Sequence, residues 1–260
     1  MAISIDTVYQ KVLALANKEQ RGYITPQEFN LFADQAQKEI FEQYFYDTNQ
    51  WSRQHGNDTG HSDMLDKLEQ KISMFEKYSD GANAKLNNQY GDLYLEDNDN
   101  FPDIYKLLEV YVGYGNGHKV AEEVTLKEFR RYRDSNLTKA SKNRPLFLHY
   151  AGHANGNRIK IYPFPTAVTT GDGVLGTDGV EYSVIVSYIR KPNNPKWGYV
   201  VVNDKALYND NISVDFELHS SEESELVYRI LALAGIAIKQ PDLLSSAITL
   251  ESAKVQQEKQ

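Results

Sequence analysis

The 260-residue chain contains no cysteine. That excludes disulfides, thiolate nucleophiles and cysteine-ligated zinc together. Packing, hydrogen bonds and association with neighbours must hold the protein. Long apolar runs are missing too. The longest without a charge, Ile230–Ile238, is nine residues, whereas a bilayer span needs about 20. No membrane partner is expected. The opening MAISIDTVYQ lacks the charged-then-apolar pattern of a signal peptide and reads as the start of a helix. The N-x-S/T matches at Asn57, Asn136 and Asn211 therefore read as chance.

An excess of positive charge is also lacking. The formal net charge is −8, and the one dense basic cluster is Arg130-Arg131-Tyr132-Arg133. This balance argues against a chain that grips nucleic acid and leaves room for one that stands beside it. Catalytic signatures are absent as well. There is no G-x-S-x-G elbow and no H-E-x-x-H. Gly113–Gly117 has no Lys-Ser/Thr after it and reads as a hairpin turn rather than a phosphate cradle. His149 and His153 stand four apart, but Pro145, Gly152 and Gly156 forbid the helix that would bring them together. The acidic run Glu96–Asn100 fits no cation loop and reads as a solvated turn. The chain is expected not to be an enzyme, with no catalytic residues, no cofactor and no metal site.

What is present is an ordinary globular composition, 41% hydrophobic and 25% charged, with 18 tyrosines. Tyrosine suits interfaces because it joins an apolar body to a polar tip. It also fills strands. Composition alone leaves both uses open.

The pattern predicts an α+β fold with helical ends. Ile5, Val8, Val12 and Leu15 follow a helical spacing behind Ser4 or Asp6 as cap. Thr25-Pro26-Gln27-Glu28 is a capping box with proline at the first helical position. Phe29, Phe32, Ala33, Ala36, Ile40 and Tyr44 continue one face to about Gln50. A third helix carries Leu65, Leu68, Ile72 and Phe75. Residues 79–103 read as loop. Strands are predicted at Tyr105–Tyr114, Pro145–Tyr150, Arg158–Tyr162, Glu181–Ile189 and Trp197–Val202. Their turns carry Asn116-Gly117, Asn155-Gly156 and Asp178-Gly179. Thr125–Glu128 is a second capping box opening a short helix near 125–134, and Ser220–Glu223 opens the first of two closing helices. Pro241 ends that helix and starts the next. The expected organisation is a helical hairpin or bundle over 1–78, a β-rich middle over 79–219, and C-terminal helices over 220–260 packing back on the first.

Asn17–Glu28 has the frame of an EF-hand, with Gly22 at loop position 6 and Glu28 at 12. Asn17 replaces the first aspartate, and Arg21 puts a guanidinium where calcium needs oxygen. A calcium-responsive binding protein is therefore the alternative of another class. The capping box explains the same residues as a helix start.

Two stretches carry a resemblance. The helix, turn and helix over Thr7–Tyr46, with Phe32-Ala-Asp-Gln-Ala-Gln-Lys-Glu-Ile40, resembles the opening of tailed-phage head–tail connector (adaptor) proteins. Tyr188-Ile-Arg-Lys-Pro192, Pro195-Lys-Trp-Gly-Tyr199, Asp215-Phe-Glu-Leu-His219 and the closing helices are similar to virion structural proteins of podovirus-like, crAss-like and marine phages. The resemblance implies a non-enzymatic virion subunit of the neck or tail region, made in the host cytoplasm. It implies a homo-oligomeric ring, a dodecamer, that docks on the portal protein and meets tail or neck proteins. DNA would pass through its lumen without specific binding. A tail-tube or tail-completion protein is the alternative within that class. The interface residues expected on this reading are Tyr44, Tyr46, Trp51, Arg190, Trp197 and Tyr199.

Overall fold

The computed structural model describes residues 3–16, 24–53, 59–79, 86–87, 92–94, 104–114, 117–153, 156–163, 167–170, 173–176, 181–203, 205–238 and 241–258. The fold is α+β: helices at both ends of the chain and a β-rich middle. The chain divides into two compact units. One joins Met1–Met74 to Pro192–Gln260, and the other is Phe75–Lys191. Residues 192–219, read from sequence as part of the β middle, thus belong with the helices. The side-chain amides of Asn30 and Gln37 hold the segment to the helices.

The helical unit begins with α1 (Ile5–Ala16), α2 (Pro26–Arg53) and α3 (Thr59–Ser73). The α1 cap is Ser4, whose hydroxyl accepts from the Thr7 N–H at 3.5 Å. Asp6 is engaged elsewhere. At the start of α2, the Glu28 carboxylate accepts from the Thr25 N–H and hydroxyl at 3.0 and 2.8 Å, and the Thr25 hydroxyl accepts from the Glu28 N–H at 3.3 Å. The capping box of the sequence is therefore formed. These bonds hold the Glu28 carboxyl below the usual carboxylate range, the backbone N–H contributing most. The buried stripe of α2 is Phe29, Ala33, Ala36, Gln37, Ile40, Phe41 and Tyr44, one face at 3.6 residues per turn.

The same unit closes with α5 (Glu223–Ile238) and α6 (Pro241–Glu258). α5 packs on both α1 and α2, and α6 packs on α5. Its buried face is Leu226, Val227, Ile230, Leu231 and Ala234. The start of α5 differs from the sequence reading. A 3-10 turn over Ser220–Glu222 precedes it, and the His219 ring accepts from the Ser221 N–H at 3.3 Å, so His219 is the cap. Glu222 and Glu225 are buried, and each has a cation. Lys71 meets Glu222 at 2.5 Å, and Arg229 meets Glu225 at 2.7 Å. A buried carboxylate without such a partner would be strongly unfavourable.

The second unit is a mixed sheet. In chain order its strands are β1 (Glu76–Ser79), β2 (Leu86–Asn87), β3 (Asp92–Tyr94), β4 (Ile104–Tyr114), β5 (His118–Glu123), β6 (Leu146–His153), β7 (Gly156–Tyr162), β8 (Ala167–Thr170), β9 (Gly173–Gly176) and β10 (Glu181–Arg190). The spatial order is β2-β3-β7-β6-β5-β4-β10-β9-β8, with β1 also paired to β10. All pairs are antiparallel except β5–β6. That parallel pair needs a crossover, and α4 (Leu126–Arg133) supplies it.

Alternation splits the sheet's side chains between two cores. Val110, Val112, Ala121, Phe147, Ile159, Ile161, Val184, Val186 and Tyr188 form one cluster. Leu146, Leu148 and Val124 form another with Phe129 and Tyr132 of α4 and with Tyr162. The second capping box also forms. The Glu128 carboxylate accepts from Thr125 N–H at 2.9 Å and from its hydroxyl at 2.7 Å.

Three predicted turns, at Asn116, Asn155 and Asp178-Gly179, fall wholly or partly outside the described residues, as do Glu96–Asn100 and most of the EF-hand-like loop. Within 79–103, read as loop, β2 and β3 are short strands. Two or three residues carry too little alternation to be seen in sequence.

Candidate functional site

Trp197 is the centre of the best-defined local construction. It lies in the extended segment after Pro192, and its indole is buried. The indole N–H donates to Asp6 at 3.0 Å. Its ring lies 4.2 Å from Tyr9 and 5.8 Å from both Tyr199 and Tyr208. Tyr9 in turn meets Phe29 edge-on at 4.8 Å. The chain on both sides is pinned by α2. Trp197 N–H donates to the Asn30 side chain at 2.7 Å, and Asn30 donates back to the Trp197 carbonyl at 3.3 Å. Seven residues along the same helix face, Gln37 donates to the Asn193 carbonyl at 2.7 Å and accepts from Glu217 N–H at 3.0 Å. Glu217 closes the loop by accepting from Asn193 N–H and side chain at 2.8 and 3.0 Å. The two amides act as an edge strand for a segment that has no sheet to join.

This anchor carries a hairpin, β11 (Tyr199–Val202) and β12 (Lys205–Tyr208). Asn203, at φ 51°, takes the left-handed turn conformation that asparagine tolerates. The register pairs Tyr199 with Tyr208, Val200 with Leu207, Val201 with Ala206, and Val202 with Lys205. Paired residues share a face. Tyr199 and Tyr208 therefore point with Val201 and Ala206 to the side that stacks on Trp197. Val200, Val202 and Leu207 share the other with the cation Lys205. Gly198 precedes them on that same face, and Ile212 fills its place: a Cβ at Gly198 would stand 2.5 Å from Ile212 Cγ1. The result is an apolar stripe of Ile212, Val200, Leu207 and Val202. It is open to solvent, with Val200 47% and Leu207 53% exposed. Val201, at the tip on the other face, is 61% exposed.

The six expected interface residues do not form one patch. Tyr44 and Trp197 are corrections. Both side chains are buried within the helical unit, because α2 turns Tyr44 inward with Phe41 and Ile40, and Asp6 and Tyr9 enclose the indole. Lys71 lies over the Tyr44 ring at 5.5 Å. Tyr46, two residues on, faces out at 67% exposure. Trp51 is half-buried near the end of α2. Tyr199 is half-buried and stacks on Trp197, so these two are brought together. Arg190 lies in the other unit, half-buried, donating to the Lys191 carbonyl at 3.2 Å. The exposed residues of β11 and β12 were not among the six. Their signal was Val200-Val201-Val202, a strand with no polar alternation and therefore no obvious solvent face.

No group of three His, Asp or Glu is positioned to hold a metal ion among the described residues. Of the EF-hand-like loop, Glu28 is described, and its carboxylate is occupied by the Thr25 cap. No described helix is long and apolar enough to cross a membrane. Neither the protein-family models nor the curated proteins contain a match to this chain.

Proposed function

We propose that this chain is a non-enzymatic structural subunit of a tailed-phage virion, a head–tail connector that forms a ring, docks on the portal and joins it to the tail. The observation that carries the assembly part is the β11–β12 hairpin. An isolated two-stranded hairpin is marginal in water. This one is fixed at its base by a buried tryptophan and turns an apolar stripe outward. Such a stripe is stabilised by being covered, which fits a subunit made to sit against other chains. The virion part rests on the resemblance of Thr7–Tyr46 and of Tyr188–Ile236 to connector and virion proteins.

On this reading the hairpin is an arm that reaches a neighbouring subunit or the portal. The net charge of −8 suits a ring whose lumen passes DNA without holding it. Co-sedimentation of the full chain with isolated portal tests the proposal. Binding that is lost in V200K/L207K, with the fold intact by circular dichroism, is the expected result. Portal binding absent in the unaltered protein overturns the docking role.

A further inference from the structure

The charge of this chain is segregated. Residues 75–191 carry fifteen Lys/Arg and fifteen Asp/Glu, so the helical unit holds the whole −8. Within the neutral unit the cations are gathered. Residues 127–144 contain seven Lys/Arg and two Asp/Glu. Phe129 and Tyr132 turn α4 onto the sheet, and Lys127, Arg130, Arg131 and Arg133 all face solvent. Arg133 makes an exposed contact with its neighbour Asp134 at 3.7 Å. Arg144 is committed inside the unit, donating to Glu122 at 2.7 and 3.0 Å and lying over Tyr132.

Beside this ridge stands Leu137, 95% exposed. It is not on a loose loop. Ser135 N–H donates to the Tyr132 carbonyl at 3.2 Å, the Thr138 hydroxyl donates to the same carbonyl at 3.4 Å, and Lys139 N–H donates to the Ser135 carbonyl at 3.0 Å. The ridge thus joins arginine, which protein-binding surfaces favour, to an exposed apolar side chain held on an ordered turn.

The complement is on the same chain. On α3, Asp63, Asp66 and Glu69 recur every three residues, and all three are exposed. None of them is in an ion pair among the described residues. Half-buried Met64 and Leu65 lie between them in sequence. We infer that the α4 ridge with Leu137 docks on the α3 acidic row of a second copy of this chain. The two patches differ, so the contact is head-to-tail and repeats from copy to copy. This inference rests on the assembly reading above and names its subunit contact. A bare polyanion such as DNA would use the cations and leave Leu137 without a role.

The test is the size distribution of the full-length protein by mass photometry and sedimentation at low and high salt. Association should weaken as salt rises. R130E/R131E and, separately, L137S should each raise the dissociation constant by about tenfold or more. D63R/D66R placed in the R130E/R131E chain should restore association. If R130E/R131E and L137S assemble like the unaltered protein, the inference fails while the assembly reading stands. If R130E/R131E abolishes a duplex-DNA mobility shift and leaves assembly intact, the ridge serves nucleic acid and the inference is overturned. If the unaltered chain never associates, with or without portal, the assembly reading itself fails.

Discussion

Asn30 and Trp197 are joined twice, the Trp197 N–H donating to the Asn30 side chain at 2.7 Å and the Asn30 amide donating to the Trp197 carbonyl at 3.3 Å. The pair lets a helix hold an extended segment as a neighbouring strand would. Gln37 repeats the arrangement two turns later on Asn193 and Glu217. Together they set the place from which the hairpin projects.

Replacing these amides should therefore loosen the segment. Asn30→Asp keeps the acceptor and loses the donor. Gln37→Leu leaves the Glu217 N–H and the Asn193 carbonyl unsatisfied. Each should lose about 1–3 kcal/mol in urea unfolding, with Gln37→Leu the larger because Gln37 is fully buried. No loss in either would mean that the 192–217 segment is held by its apolar residues alone.

Gly198 is the narrowest point of the hairpin base. Gly198→Ala would put a Cβ within 2.5–2.9 Å of Ile212 side-chain and backbone atoms. Backbone yields less readily than a side chain, so the change should lose about 1–3 kcal/mol. Val200→Lys, on the open face, should stay within about 0.5 kcal/mol of the parent. Equal effects of the two in the same unfolding assay would contradict the orientation assigned to the hairpin.

Arg229 ties three helices. It contacts Glu225 at 2.7 Å, Glu251 of α6 at 3.3 Å and Glu39 of α2 at 3.7 Å, and donates to Gln43. Arg229→Met would take from the buried Glu225 the guanidinium it meets at 2.7 Å. A loss of about 3–5 kcal/mol is expected. Glu39→Gln, at the more exposed end, should lose well under 1 kcal/mol. Thermal unfolding of the two variants side by side measures the difference.

The capping boxes predict a pH dependence. Glu28 and Glu128 both have carboxyl pKa values lowered by the N–H and hydroxyl of their threonines. A lowered folded-state value means stability that is present above the ordinary carboxylate range and lost as pH falls through the depressed one. In E28Q/E128Q the acid limb of the stability curve should be shallower than in the parent. Parallel limbs would show that the carboxylates contribute no pH-dependent stability.

Much of the fold was legible because several signals agreed. Thr25, Pro26 and Glu28 mark the start of α2 by cap, fixed φ and reciprocal hydrogen bonds at once. β4, β6, β7 and β10 alternate clearly enough to be read. β5 does not. Its sequence is HKVAEE, with Ala121 the one buried residue, and its place comes from pairing with β4 and β6. The membership of 192–219 in the helical unit was hidden for a different reason. It depends on single amides at Asn30 and Gln37, and hydrophobic periodicity has no term for them. The same blindness affected the site. Tyr44 and Trp197 have interface chemistry, but the inward face of α2 buries Tyr44 and contacts with Asp6 and Tyr9 bury Trp197, and Leu137 is one apolar residue in a polar turn.

The central claim, that this chain builds a ring on a portal, is tested most directly by imaging the purified full-length protein with isolated portal and averaging the particles. Closed rings stacked on the portal face, dissolved by V200K/L207K, are the predicted result. Single 260-residue particles and bare portals at every protein concentration would contradict it.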